Sequence, residues 1–590
     1  MIANRPAVSI GLQDFIGTGF YSAEYIVASK SFGDDLRVTG GVGWGRLGGV
    51  GALGAPFGER PPLDFGEGGR LSTDQWFKGD AALFGGVEYA LNDRVTLTAE
   101  YSSDDYRREE GRDLFERDSP FNFGVSYQFK HGGVLSGYYL YGSEIGVGYS
   151  YVLNPKRPIA TTGFEAAPVP LSPRPSRAAD PEAYEADWVT NAAEIAGGKD
   201  SIARALAKEG QVLEAISLDA TRAKVTIRNT RFGAHPQAIG RTARVLSRGL
   251  PASIEVFEIT VATSTGIPST TTIIRRSDLE RLEFEGSDAI LPRVAFADSV
   301  GRASDQSYSA PRDKFTWALE PGLAVSLFDP EAPVRGDLTL QLRGKYEIAR
   351  GLIAQGSISA TLAGTLDEID ELGESALPRV RSDIGLYQGN PRLSSATLAW
   401  YARPGSNLYS RVTGGYLETQ FGGVSGEVLW MPVNSRLALG AEVNYARKRD
   451  FDGGLGFLDY DVITGHASAY YDFGGGYLGQ LDVGRYLAGD VGATMSFSRE
   501  FDNGWVIGAY ATQTDVTFED FGEGSFDKGI RLTVPVEWAS GQPSRNRTSV
   551  SLRSLSRDGG ARLSVPGRLY ETVRETRQDE LSDRWGRFWR

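Results

Sequence analysis

Leu437-Ala438-Leu439-Gly440-Ala441-Glu442-Val443-Asn444-Tyr445 alternates without a break. Successive side chains of an extended strand point to opposite faces. One face of this stretch carries Leu437, Leu439, Ala441, Val443 and Tyr445, and the other carries Ala438, Gly440, Glu442 and Asn444. A half-buried strand of a soluble sheet has this period. So does a strand crossing a bilayer, which runs for about 9–11 residues and carries aromatics where lipid meets water. Tyr445 ends the apolar face in that way.

The pattern recurs. Val95, Leu97, Ala99 and Tyr101 oppose Arg94, Thr96, Thr98 and Glu100; Phe123, Val125, Tyr127 and Phe129 oppose Gly124, Ser126 and Gln128. Leu338, Leu340, Leu342 and Tyr346 oppose Thr339, Gln341, Arg343 and Lys345. Ile530, Leu532, Val534, Val536 and Trp538 oppose Arg531, Thr533, Pro535 and Glu537. Tyr101, Tyr346, Tyr445 and Trp538 each stand at the rim of an apolar face, the place of an interfacial girdle. Strands of soluble sandwiches are usually shorter. Length and repetition therefore predict an all-β transmembrane fold of antiparallel β-barrels.

Composition agrees. The chain has 590 residues with 74 Gly, 28 Phe, 26 Tyr and 10 Trp, which suits many strands joined by tight turns. Its net charge of −13, with no long basic block, gives nucleic acid no electrostatic footing. The absence of Cys removes disulfides, thiolate nucleophiles and thiolate metal sites together. No apolar run reaches the roughly 18 residues of a membrane-spanning helix.

The chain divides by pattern. Residues 1–154 read as a first β-barrel, with tight turns at 32–35, 92–93 and 130–133 and long polar loops at 46–78 and 103–119. Its beginning is expected to be missing, because a strand pattern already starts at Ala7 with no apolar leader before it. Outer-membrane barrels turn tightly on the periplasmic side and loop outside. By that parity the strand ending at Leu153 exits into the periplasm. A Pro-rich linker follows at 155–190. Residues 191–300 read as a small α+β domain, expected to be periplasmic, with helices at 201–209 and 236–246 and strands at 212–218, 223–228, 254–262 and 270–276. Residues 310–567 read as a second, larger β-barrel of about a dozen or more strands. Its last candidates are 528–538, 547–556 and 559–565, and 568–590 reads as a charged C-terminal tail or helix.

Catalytic chemistry has little support. His131, His235 and His466 lie far apart in sequence, and read as turn, cap and lumen residues. Gly43-Trp44-Gly45-Arg46-Leu47-Gly48 matches a dinucleotide motif, but the Gly-rich stretch to Pro56 cannot start the helix that holds pyrophosphate. Asp450, Asp452, Asp459 and Asp461 miss the spacing of an EF-hand loop and read as acids of an exterior loop. The chain is therefore expected to be no enzyme and to hold no cofactor or metal. The informative polar residues are those opposite apolar faces: Arg343, Lys345, Glu442, Asp482, Arg531 and Glu537 are the candidate lumen-lining set. Such residues either line an open path or pair with each other and close it.

Gly11-Leu12-Gln13-Asp14-Phe15-Ile16-Gly17-Thr18-Gly19, then Tyr21-Ser22-Ala23-Glu24-Tyr25, Ala28-Ser29-Lys30 and Gly41 through Gly48 resemble the YjbH family of exopolysaccharide-associated outer-membrane proteins. Asn229-Thr230-Arg231-Phe232, Gln237-Ala238-Ile239-Gly240-Arg241, and Ala399-Trp400-Tyr401 through Tyr416-Leu417-Glu418 are similar to it as well. The resemblance implies two barrels, an intervening periplasmic domain, and often a lipid-modified Cys after a leader, for which this chain has no Cys. It implies a Gram-negative outer-membrane role in exopolysaccharide or capsule production, aiding export or surface assembly. The implied partners are outer-membrane lipid, polysaccharide and other secretion-system proteins of the periplasm. A general porin or solute channel, and a structural or adhesive surface protein using the long loops, are the alternative expectations.

Overall fold

The structure is a computed structural model. It describes residues 5–14, 21–62, 73–110, 116–130, 132–161, 163, 165–304, 308, 313–327, 334–365, 376–387, 390–517, 526–553 and 558–590. His131 lies outside the described residues. The chain forms two compact units, residues 1–157 with 517–525, and residues 158–516 with 526–590. Most of it is antiparallel sheet, and among the described residues no helix is long and apolar enough to cross a membrane.

The first unit holds an eight-stranded sheet in sequence order, from Ala7–Gln13 to Glu144–Tyr151. Its connections differ by end, although the short turn 141–143 sits at the end that carries the long loops. At one end the strands Ala23–Phe32 and Leu36–Gly45, Ala82–Asn92 and Val95–Tyr101, and Phe121–Gln128 and Gly133–Leu140 are joined by tight turns. At the other, long loops join Leu36–Gly45 to Ala82–Asn92 and Val95–Tyr101 to Phe121–Gln128. The last strand runs from the loop end to the tight-turn end. Phe123, Val125 and Tyr127 are exposed on one face, whereas on the other Asn122 is buried and Ser126 hydrogen-bonds Ser136 at 2.8 Å.

The second unit begins with the α+β fold. Its five strands take the order Ala295–Asp298, Pro268–Arg275, Val256–Ala262, Arg222–Asn229, Gln211–Leu218. Only Arg222–Asn229 and Val256–Ala262 pair in parallel, and the helix His235–Gly249 links them. That is the crossover a parallel pair requires. The helix Ala192–Lys208 starts nine residues before its apolar period, because the Asn191 side chain accepts from the Glu194 N–H and caps it. Ile202, Leu206, Ile239 and Leu246 pack with Ile216, Val225, Phe257 and Ile259 in one core.

A thirteen-stranded antiparallel sheet follows, in sequence order from Phe315–Leu327 to Arg547–Arg553. Among the described residues, no ladder joins its first strand to its last. In Leu437–Arg449 the faces separate as the alternation predicts, but with the polarity of a soluble protein reversed. Val443 is 63% exposed and Glu442 only 3%. Ile463, Leu481, Val483, Met495 and Ile507 continue the exposed apolar face, while Asn444, Thr464, His466 and Asp482 are buried.

Two expectations fail here. The strand Asp527–Pro535 ends at its proline, and Val536–Ser540 is helical. Trp538 is therefore no rim aromatic: it is buried edge-on against Trp505, with ring centroids 4.9 Å apart. Pro535 lacks the N–H that would carry a central ladder onward. Residues 559–565 form no strand, and the charged stretch after them carries the helices Leu569–Val573 and Gln578–Asp583 with its apolar side chains packed inside. Leu569, Tyr570, Val573, Leu581, Trp585 and Phe588 are all buried.

Candidate functional site

The C-terminal segment 558–590 covers the charged face of the thirteen-stranded sheet, and each step along it is fixed by polar contacts. At its start the Asp558 carboxylate accepts from the N–H groups of Val380, Arg381 and Ser382 at 2.8–3.0 Å. The Gly560 N–H donates to Asp490 at 2.7 Å. Next, Arg562 reaches Asp482 at 2.9 Å and Glu442 at 3.4 Å. Arg568 holds Glu442 through Nε at 2.7 Å and Nη2 at 3.1 Å. The Leu569 N–H donates to Glu427, whose other partner is the fully buried Arg411 at 2.9 Å. Tyr570 stacks on Tyr470 at 3.8 Å, nearly parallel. The Gly567 carbonyl accepts from Tyr401 at 3.0 Å. Strands as far apart in the sheet order as Arg392–Gly405 and Tyr477–Arg485 thus meet the same few residues. The sheet curls around the segment.

Beyond Tyr570 the segment reaches the other end of the sheet. Glu500 collects Arg547 at 3.1 Å, Arg574 at 2.5 Å and also Arg584. Thr576 hydrogen-bonds Ser269 of the α+β fold at 2.6 Å, and Ser269 hydrogen-bonds Tyr409 of the sheet at 2.9 Å. Its last buried aromatics belong to the α+β core. Trp585 and Phe588 stack at 4.7 Å within it, and Arg241 donates to the Arg590 carbonyl at 3.1 Å.

The α+β fold also docks directly on that end of the sheet. Arg228 forms a two-pronged pair with Glu347 at 2.6 and 3.1 Å, and Arg403 pairs with Asp298 at 2.5 Å. Glu347 lies beside the Arg350–Gly351 turn and Arg403 beside the Asn407 turn, so tight turns mark the docking end. Arg545 donates to the His235 ring at 3.2 Å and to Glu575 at 2.7 Å. Burial, with the charge of Arg545 beside it, lowers the His235 imidazole to about 4. Burial would raise the Glu575 carboxyl, but the His235 hydrogen bond and the Arg545 charge bring it well below the usual range.

Of the six candidate lumen residues, the structure brings two together. Glu442 and Asp482 share Arg562. Arg343 is on the charged face but exposed, and it pairs with Glu320 at 3.4 Å. Lys345 donates to the Ser264 carbonyl of the α+β fold at 2.7 Å and so belongs to the docking contact. Arg531 is exposed, opposite Ser551 in register. Glu537 is a correction: it sits on the Val536–Ser540 helix, off the sheet, 3.3 Å from Arg587. The residues missed by sequence reasoning are Arg562 and Arg568. A signal existed, since a solvated tail has no need of Leu569, Tyr570, Val573, Trp585 and Phe588 among its charges.

The glycine motif 43–48 ends in a three-residue turn, Arg46–Gly48. His466 is buried edge-on against Tyr486, with centroids 4.7 Å apart. Among the described residues no group of three or more His, Asp or Glu is placed to hold a metal.

Comparison with known proteins adds an identity. The chain is similar to two solved structures, a Salmonella typhi OmpF complex with daunomycin and a mutant Rh. blastica porin. Identities are 12% and 15%, covering 42% and 40% of this chain and 94% and 98% of theirs, at TM-scores of 0.25 and 0.22. Likeness that low fixes neither strand number nor function. It is 31% identical to a protein of Escherichia coli strain K12 named "Uncharacterized lipoprotein YjbH", over 96% of this chain and 81% of that one. Residues 3–575 match the family model described as "Exopolysaccharide biosynthesis protein YbjH", and the chain belongs to that YjbH family.

Proposed function

We propose that the chain is an outer-membrane component of exopolysaccharide production that aids export or surface assembly. In this reading both large sheets close into barrels in the lipid, and the α+β fold lies in the periplasm. One observation carries it: the reversed polarity of the thirteen-stranded sheet, apolar side chains outside and paired charges inside. Soluble monomers rarely expose apolar patches beyond a few hundred Å², whereas a barrel in lipid needs such a face. Connection lengths support the orientation. The last strand of the first sheet leaves at its tight-turn end, and the α+β fold docks on tight turns of the second. The segment 558–590 occupies the charged face, which argues against a permanently open porin. The family's name supports a polymer role.

The test is a deletion strain complemented in trans. Loss of surface polysaccharide, restored by the wild-type gene, is the expected result. Unchanged polymer output in the deletion strain overturns the proposal.

A further inference from the structure

The loop end of the first sheet holds a cavity of about 470 Å³, within the size range of small-molecule sites. Its position follows from the fold. Gly45 ends its strand at φ 65°, a conformation that glycine adopts without strain, and turns Arg46 into the space between the loops. At Gly48 a Cβ would strike the Asp80 carbonyl, so the two ends of this loop touch there, and the Val50 N–H donates to the Ser103 carbonyl of the next loop at 2.8 Å. Trp44, buried beneath, packs on Phe57 and Phe77 with centroids 6.0 and 5.3 Å away. The loops are thus packed against each other on an aromatic base.

The walls are polar and mostly pre-paired. The Arg46 guanidinium lies 5.0 Å from the rings of both Tyr21 and Tyr106, and it pairs with Glu109 at 2.7 Å and with Asp104. Arg60 holds the buried Glu24 at 2.7 and 3.1 Å and donates to Ser22 at 2.7 Å. Arg107 pairs with Asp105 at 2.6 Å. Glu59 and Asp80 also line the cavity, exposed, and have no partner among the described residues. Arginines already held by acids thus share the cavity with two unpaired carboxylates. A sugar hydroxyl is both donor and acceptor, and one carboxylate accepts from two neighbouring hydroxyls. The lining carries Glu59, Asp80, Asp104, Asp105 and Glu109 against Arg46, Arg60 and Arg107. That excess of negative charge repels an acidic sugar.

We propose that this cavity is a saccharide site, selecting a neutral or amino-bearing sugar unit over a uronate. It rests on the reading of the chain as a polysaccharide-handling protein and names the class of sugar it touches. Under the same reading the loop end faces outward, so the site meets polymer at the cell surface.

The test is titration calorimetry on the purified full chain in detergent, with three probes: a glucose trisaccharide, a glucosamine trisaccharide and a galacturonic acid trisaccharide. Saturable binding of either non-acidic probe, with none for the galacturonate, is expected. Glu59→Gln/Asp80→Asn should weaken it about tenfold or more while the circular dichroism stays that of the wild type, because both side chains are exposed. No binding of either non-acidic probe, preference for the galacturonate, or unchanged affinity in the double variant would overturn the site. The functional reading is judged separately by the deletion strain. Lost polymer with no sugar binding sinks this site alone, whereas sugar binding with unchanged polymer output upholds the site and sinks that reading.

Discussion

Arg568 grips Glu442 across 126 positions of sequence, with Nε donating to one carboxylate oxygen at 2.7 Å and Nη2 to the other at 3.1 Å. Both hydrogen bonds run between the C-terminal segment and the middle of the sheet. The pair ties what fills the charged face to the face itself.

Removing one partner of a buried pair leaves the other charge uncompensated, typically at about 3–5 kcal/mol. Arg568→Leu should fall near the lower bound, about 3 kcal/mol, because Arg562 remains 3.4 Å from Glu442. Adding Glu442→Leu should recover much of the loss, because no buried charge then lacks its partner. Denaturant unfolding of Arg568→Leu, Glu442→Leu and the double variant checks this. Additive losses would mean that the two side chains do not act as a pair.

Val443 distinguishes a lipid-facing sheet from a solvated one. Placing Arg on a lipid face near mid-membrane costs about 2–4 kcal/mol, whereas an ordinary solvated surface site changes by within about 0.5 kcal/mol. Val443 is 63% exposed in the centre of its strand. Val443→Arg in liposomes should show the larger loss, read as a shift of the unfolding midpoint, and the exposed face lies in water if it does not.

Gly240 tests the C-terminal anchor against helix propensity. Alanine favours a helix interior over glycine by about 1 kcal/mol, so Gly240→Ala alone would stabilise the helix His235–Gly249. In the structure a Cβ at Gly240 would collide with the Phe588 carbonyl. The variant should therefore be destabilised and release the C-terminal residues, seen as faster proteolysis near Arg587. Phe588→Ala, emptying a fully buried site, should cost about 3–5 kcal/mol.

His235 gives the docking contact a pH dependence. The unfolded imidazole takes its proton near 6.5, but the folded one does so only near 4. The unfolded state therefore binds more protons in between, and stability falls as the pH drops through that window, by roughly 1.4 kcal/mol per unit. Above 6.5 both states are neutral at this group and it contributes no slope. Glu575 acts lower: its folded carboxyl is depressed below the ordinary 4.5, so its contribution is lost only under that value. His235→Gln should flatten the stability profile between pH 6.5 and 4.5, measured as unfolding midpoints against the wild type. An equal slope in both proteins would remove His235 from the account.

Much of the architecture was written in local order. The two-residue period of Leu437–Tyr445 assigns Val443 to one face and Glu442 to the other with no knowledge of the fold, because strand geometry alone sets it. Where that period met Pro535 it misled: Val536 and Trp538 keep the alternation in sequence but leave the ladder as a helix. The partners of Glu442 and Asp482 had no local signature. Arg562 and Arg568 stand in a stretch dense with both charges, and such a stretch reads as solvated until the opposite charges are placed against it. The cavity around Arg46 and Arg60 was equally hidden, since three separate loops supply its walls. Sequence by itself thus determined the strands, their faces and the lengths of their connections, because all three depend on neighbours along the chain. Only the tertiary structure decided that the last residues fill the charged face and end in the α+β core. Those pairings join groups from 70 to more than 300 positions apart, and close approach in space, where water is excluded and opposite charges meet, selects them.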